Sequence, residues 1–221
     1  MSTSGDRKAT LDLIEATGVV AVIRLNDAAA LRDTCDALAA GGVRALEVTM
    51  TVPGAVGLIA RLSASMPAGF AIGAGTVVDA DTARQVIDAG ARFVVSPVFR
   101  PAVLEVARLH DVAVMPGCFT PTEILDAWDA GADLVKVFPA TVLGPAFFKD
   151  MRGPLPHVRL MPTGGVTRDN AGEWIAAGAA AIGVGTALVD RAAIKAGQFD
   201  RIAANAAHFI EAVRRARGQG R

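Results

Sequence analysis

Lys136 stands in the run Leu134–Ala140, LVKVFPA, which is short and apolar enough to be a buried strand. Lysine is among the side chains least often fully buried, so its place there needs a reason. One reason is plain: the long stem reaches back to the surface, or the strand lies at a sheet edge. The other is chemical. A free lysine amine, with a reference pKa of about 10.4, is neutral in fewer than roughly one molecule in a thousand at pH 7. Burial disfavours the ammonium and can bring the pKa to ~7–8, which leaves a nucleophile able to form an imine with a carbonyl. Glu47 stands in a second apolar run, ALEVT, and is the matching acid–base group. Its carboxylate favours the ammonium, so desolvation must dominate or the two must share a proton.

Elements able to bring these two residues together are written into a repeat. AGGVRALEVT (40–49), AGARFVVSP (89–97), AGADLVKVFP (130–139) and AGAAAIGVGT (177–186) each open on Ala-Gly, follow an amphipathic helical stretch and run into a β-rich segment. The glycines fit the position that ends a helix in a left-handed conformation. Between the copies lie VVAVIR (19–24), FAIGAGTV (70–77), VAVMPG (112–117) and VRLMPTGG (158–165). The count is eight strands, each followed by a helical pattern such as DTARQVIDAG or TEILDAWDAG. Alternating strands and helices imply a parallel sheet. Eight of them in 221 residues, with no composition break, predict one domain over 1–221, an α/β fold closed into a (β/α)8 (TIM) barrel. An extra N-terminal helix near Asp6–Ala16 is expected to cap its bottom. No GxGxxG opens the first strand–helix turn, which counts against a dinucleotide-binding sheet.

Barrels of this kind carry their reactive groups at the C-terminal strand ends. Those ends are Arg24; Glu47 with Thr49 and Thr51; Thr76; Ser96-Pro97; Pro116-Gly117; Lys136; Thr163-Gly164-Gly165; and Gly185-Thr186. Alternation turns Leu134, Lys136 and Phe138 one way and Val135 and Val137 the other. Glu47 and Thr49 turn inward on the second strand, with Leu46 and Val48 outward. The second and sixth strands are both even-numbered and fill one interior layer, so Lys136 and Glu47 can face each other. A buried ion pair that only fixes the core is the structural alternative. Of the four lysines, only Lys136 has a strand context. Its imine with a 2-oxo acid is an electron sink for the adjacent carbon, and Glu47 could move protons to and from it. That is amine-dependent aldol chemistry. Gly164 and Gly165 after the seventh strand, with Gly185 and Thr186 after the eighth, match the usual place of a barrel phosphate site, although a Gly-Gly turn alone also suits ordinary loop geometry.

In GGVRALEVT, GAGT (73–76), Ser96-Pro97, PGCFTPTE (116–123), LVKVFPA and MPTGGV (161–166), taken in order, the chain resembles the 2-keto-3-deoxy-6-phosphogluconate (KDPG) and 4-hydroxy-2-oxoglutarate (KHG) aldolase family. The resemblance covers nearly the whole chain. It implies a class I aldolase on a (β/α)8 barrel, a homotrimer that needs no metal or cofactor and acts on a small 2-oxo acid. It assigns Lys136 as the Schiff-base lysine and Glu47 as its acid–base partner. By the same resemblance Thr76 helps hold the pyruvate carboxylate, Pro97 and Phe138 line the pocket, and Pro139 shapes the loop leaving the strand. Thr163, Gly164, Gly165, Gly185 and Thr186 fall on its TGG segment and phosphate site. Many members read LEVT-x-R, whereas this chain has Thr51 where they have the arginine. Threonine offers no charged, bidentate partner for a carboxylate, which leaves Arg24 as the remaining cation and the substrate range open. Thr163 leans toward the gluconate epimer. Two further readings stay open: a phosphosugar isomerase or epimerase in which Lys136 is only a cation, and a non-catalytic metabolite-binding barrel.

Composition bounds the rest. Apolar residues make up 52% of the chain, ample for a core, and Lys+Arg and Asp+Glu are both 22. A balanced charge argues against nucleic-acid or membrane partners. The N-terminus is too charged for a secretory signal, and no apolar run approaches spanning length. Cys35 and Cys118 form no CxxC, so a reducing cytoplasmic setting is expected. Cys118 reads as a small packing residue, His110, His157 and His208 show no ligand spacing, and Trp128 and Trp174 read as core or interface. Arg214–Arg217 (RRAR) closes a helix, where cations complement the dipole.

Overall fold

Strands of two to five residues, each buried on both faces, need helices outside and side chains inside. The computed structural model describes residues 6–25 and 28–218, so the first five residues of the N-terminal reading and the ends of the 1–221 span lie outside the described residues. Its strands are β1 (Val19–Ile23), β2 (Ala45–Thr49), β3 (Ala71–Gly75), β4 (Phe93–Val95), β5 (Ala113–Met115), β6 (Gly117–Cys118), β7 (Val135–Val137), β8 (Leu160–Pro162) and β9 (Ile182–Val184). Its helices are α1 (Asp6–Thr17), α2 (Ala28–Ala40), α3 (Ala55–Ser65), α4 (Ala80–Asp88), α5 (Pro101–Leu109), α6 (Pro121–Asp129), α7 (Ala140–Met151), α8 (Ala171–Ala176), α9 (Arg191–Lys195) and α10 (Phe199–Gly218).

Every pairing is parallel, in the orders β5-β4-β3-β2-β1-β9 and β6-β7-β8. Two connections join the arcs into a ring. A parallel bridge links Thr163 to Gly183. On the other side, the Asp133 N–H donates to the Val114 carbonyl at 3.1 Å and the Lys136 N–H to the Pro116 carbonyl at 2.9 Å. The chain is therefore a (β/α)8 barrel. Its fifth stave, expected as one run, is split into β5 and β6 around Pro116, which has no N–H to give a ladder.

The inside is a separate cluster of Val20, Ala45, Ala71, Phe93, Met115 and Leu134 with their neighbours, and Leu11 and Ile14 of α1 plug its lower end. Leu46, Val48, Val135 and Val137 pack outward against the helices, as the alternation predicts. At the bottom, Arg7 Nη2 donates to Asp133 Oδ1 at 2.8 Å, and the Val114 N–H donates to Asp133 Oδ2 at 2.9 Å. That pair ties the cap to β5 and to the approach to β7.

Three of the repeat glycines, Gly90, Gly131 and Gly178, have φ of 98°, 101° and 106° as expected for helix ends. In the first copy this role falls on Gly42 (φ 94°) instead of Gly41, and Gly41 lies so close to the Ala203 carbonyl and Ala206 of α10 that a side chain there would clash. At the end of α10, Arg217 donates to the Ala16 and Ala180 carbonyls at 3.0 and 2.8 Å. Among the described residues no helix is long and apolar enough to cross a membrane.

Candidate active site

Lys136 is in the middle of β7 and 5% exposed, and Glu47 is in the middle of β2 and 1% exposed. Both are inward positions, near enough for each to feel the other's charge. Burial is the largest influence on both. It pushes the Lys136 amine below the usual lysine range, and the Arg24 charge adds to this while Glu47 opposes it. It pushes the Glu47 carboxyl above the usual range, against the pull of Lys136 and then of Arg24. Desolvation is thus the largest influence on each, moving the amine and the acid in the direction of their neutral forms, and the neutral amine is the nucleophilic form. Among the described residues neither side chain has a hydrogen-bond or ion-pair partner; the Lys136 Nζ lies 5.0 Å from the Phe138 ring centroid.

Above Phe138 opens a cavity of about 200 Å³. Arg24, Phe138, Thr163, Gly164, Gly165, Gly185 and Thr186 line it, so seven expected site residues meet in one space. Gly164 and Gly165 have φ of 92° and 75°, and a Cβ on Gly165 would come within 2.9 Å of the Thr141 Cα. Only glycine permits both that conformation and that approach of α7. The Arg24 guanidinium lies over Gly185, where a Cβ would be 3.8 Å from Nη1. Arg24 therefore belongs with the glycine end of the site, where it is exposed to solvent. Thr163 is buried, and its hydroxyl has no partner among the described residues.

Thr76 and Pro97 do not line this cavity. Thr76 follows β3 and Pro97 follows β4, on the side of the barrel where Glu47 rises; Thr76 has φ of 62°, uncommon for a β-branched residue. The Ser96 hydroxyl, donating to the Val77 carbonyl at 2.6 Å, ties the two loops together. Thr51, at the arginine position of many relatives, shares a 2.8 Å hydroxyl–hydroxyl bond with Thr49.

Sequence reasoning passed over three contributors. Asn170 holds the glycine turn, donating from Nδ2 to the Gly165 carbonyl at 2.9 Å and accepting at Oδ1 from the Thr167 N–H at 2.8 Å. Its signal was the Thr-x-x-Asn spacing before α8. Gly183 makes room for Thr163, and Gly75 makes room for Glu47; neither had a signal beyond being glycine. The PGCFTPTE segment has a structural share: Thr120 and Glu123 form a capping box at the start of α6. The Cys118 thiol donates to the Glu123 carbonyl at 3.2 Å, and burial pushes its pKa up to about 12, in keeping with a packing role. His110 and His208 bond backbone carbonyls, His157 packs edge-on against Trp128, and Trp174 is in the core beside Phe148.

The sequence pattern of the family described as KDPG and KHG aldolase matches residues 11–205. A 2-dehydro-3-deoxy-phosphogluconate aldolase of Pseudomonas aeruginosa is 36% identical over 185 residues, 83% of this chain and 84% of that one. A 2-dehydro-3-deoxy-6-phosphogalactonate aldolase of Escherichia coli K12 is 37% identical over 147 residues, 66% of this chain and 69% of that one. Among solved structures, a KDPG aldolase from Legionella pneumophila, with pyruvate captured as a covalent carbinolamine, superposes with a TM-score of 0.83 at 30% identity, covering 90% of this chain and 96% of that one.

Proposed function

This chain belongs to the KDPG and KHG aldolase family, and from that premise we propose that it reversibly cleaves 2-dehydro-3-deoxy-6-phosphogluconate to pyruvate and glyceraldehyde 3-phosphate. The same site would cleave 4-hydroxy-2-oxoglutarate to pyruvate and glyoxylate. The observation that carries the reading is a buried amine held below its usual pKa, coupled to a buried acid and 5.0 Å from the ring centroid of Phe138, which lines a cavity of glycines and one cation; Lys136 and Glu47 do not themselves line that cavity.

In this reading the neutral Lys136 Nζ adds to the C2 carbonyl to form a carbinolamine; its hydroxyl leaves as water with the proton of Glu47, giving an iminium and a Glu47 carboxylate. Glu47 takes the C4 hydroxyl proton as the C3–C4 bond breaks, and the bonding pair flows into the iminium. The resulting enamine takes a proton at C3, and water releases pyruvate and returns the amine. Thr76, Pro97 and Phe138 hold the pyruvate portion. The unpartnered Thr163 hydroxyl is available to a substrate hydroxyl. Gly164, Gly165, Gly185 and Thr186 receive the phosphate, and Arg24, over Gly185, supplies the cation there.

Incubation with pyruvate and borohydride, followed by peptide mass mapping, tests the imine. A stable adduct on Lys136 is expected; pyruvate binding without an adduct would return the chain to a Schiff-base-free isomerase or a binding barrel. The similarity to a phosphogalactonate enzyme supports the C4 epimer as a second substrate, so turnover of the two epimers side by side, with and without phosphate, ranks them.

The reading extends to the rest of the molecule. We infer a single-domain barrel enzyme working in the cytoplasm on a small 2-oxo acid, without metal, so turnover should survive EDTA. The assembly is a homotrimer. Exposed Val78, Val98 and Phe119 stand on three successive loops after barrel strands and Val142 in the first turn of α7, and they support association at that end. Sedimentation showing only monomer would remove the trimer.

A further inference from the structure

Strand β3 turns Ala71, Gly73 and Gly75 toward the barrel interior. The register sets Glu47 opposite Gly73 and Thr49 opposite Gly75. Space beside Gly73 is taken by the Phe93 ring of β4, which lies where a Cβ would be. The Glu47 side chain instead climbs toward the C-terminal mouth and lies over Gly75. A Cβ on Gly75 would be 2.7 Å from Glu47 Cγ and closer still to its Cδ and Oε1. Among the described residues no hydrogen-bond donor meets the Glu47 carboxylate, so its direction is set by packing and by charge, not by hydrogen bonds.

We infer that Gly75 is a positioning residue for the reaction: the side chain it lacks is the slot that aims the Glu47 carboxylate at Lys136. The inference rests on the acid–base role proposed for Glu47 and goes beyond it, because it assigns the aim of that group to the neighbouring strand. Gly75 does not have a positive φ, so alanine can take its backbone conformation. A methyl there intrudes on the Glu47 carboxylate. Misplacement of a reacting group by about 1 Å can cost roughly 10²-fold in rate.

The test is a double-mutant cycle on turnover, with thermal melts of each variant. Gly75→Ala should lower kcat about 10²-fold while Lys136 still traps pyruvate with borohydride. Glu47→Asp withdraws the carboxylate by one methylene and should itself be slow. Combined with Gly75→Ala, it should regain about tenfold over Gly75→Ala alone, because the shorter acid and the methyl share the slot. Losses that multiply, or a Gly75→Ala enzyme near wild-type kcat, overturn the inference. Glu47→Gln separates the two levels. If it turns over normally, the acid–base assignment falls, and any Gly75→Ala defect then cannot act through Glu47, which overturns the positioning role too.

Discussion

Removing the Asp133 carboxylate should weaken the barrel without touching its chemistry. Asp133 is 6% exposed beneath β7 and accepts from Arg7 Nε at 3.0 and 3.1 Å, from Arg7 Nη2 at 2.8 Å and from the Val114 N–H at 2.9 Å. Alanine leaves the Val114 N–H buried with no acceptor, a cost of ~1–3 kcal/mol. The ion pair adds less, because the Arg7 side chain is 26% exposed and water screens it; about 1 kcal/mol is an upper figure. Asp133→Ala should therefore cost ~1–4 kcal/mol in total, and Asp133→Asn, which keeps an acceptor for Val114, about half of that. With ~2–4 °C lost per kcal/mol for a chain of this size, the alanine variant melts roughly 2–16 °C lower. Urea unfolding followed by circular dichroism reads the free energy, and kcat at a temperature below both transitions reads the chemistry. Only the first should change, since Asp133 lies at the stability end of the barrel. An alanine variant as stable as wild type would refute the reasoning that these bonds fasten α1 to the barrel, and a kcat collapse in a fully folded variant would refute the separation of the two ends.

The rate of borohydride trapping should rise with pH through the lowered pKa of Lys136 and level off before the ordinary lysine range is reached, since the neutral amine is the nucleophile. Glu47→Gln removes the neighbouring charge that supports the ammonium, so this limb should move to lower pH; a shift upward would contradict the coupling. Thr51→Arg should lower KM for the 2-oxo acid by roughly tenfold or more through a charge-assisted bidentate contact, with kcat little changed; an unchanged KM would show that the hydroxyl pair of Thr49 and Thr51 does not stand at the arginine's task. Gly165→Ala drives a methyl against Thr141 at a φ of 75°, and should raise KM for phosphorylated substrate much more than for unphosphorylated 2-oxo acids; equal effects on both would detach the glycine turn from phosphate.

Much of this arrangement is local and therefore legible in the chain. Eight strand-then-helix units come from the periodicity of apolar residues, and the inward turn of Glu47 and Lys136 from the strand period of two. The left-handed helix ends at Gly90, Gly131 and Gly178 follow from the steric freedom of glycine. So does the gathering of Thr163, Gly164, Gly165, Gly185 and Thr186, because neighbouring staves of a closed barrel must end beside one another. What the chain alone leaves open is which inward side chain fills which neighbour's space. Nothing local shows that Gly41 has no room for a side chain; the carbonyl of Ala203, 162 positions away, fills that space. Arg24 reads as a general cation until β9 is beside β1 and places Gly185 under its guanidinium. The balance at Lys136 is likewise tertiary. Sequence sets an amine and an acid face to face, where attraction would keep the ammonium, and only the dry interior built by the closed ring tips both toward their neutral forms.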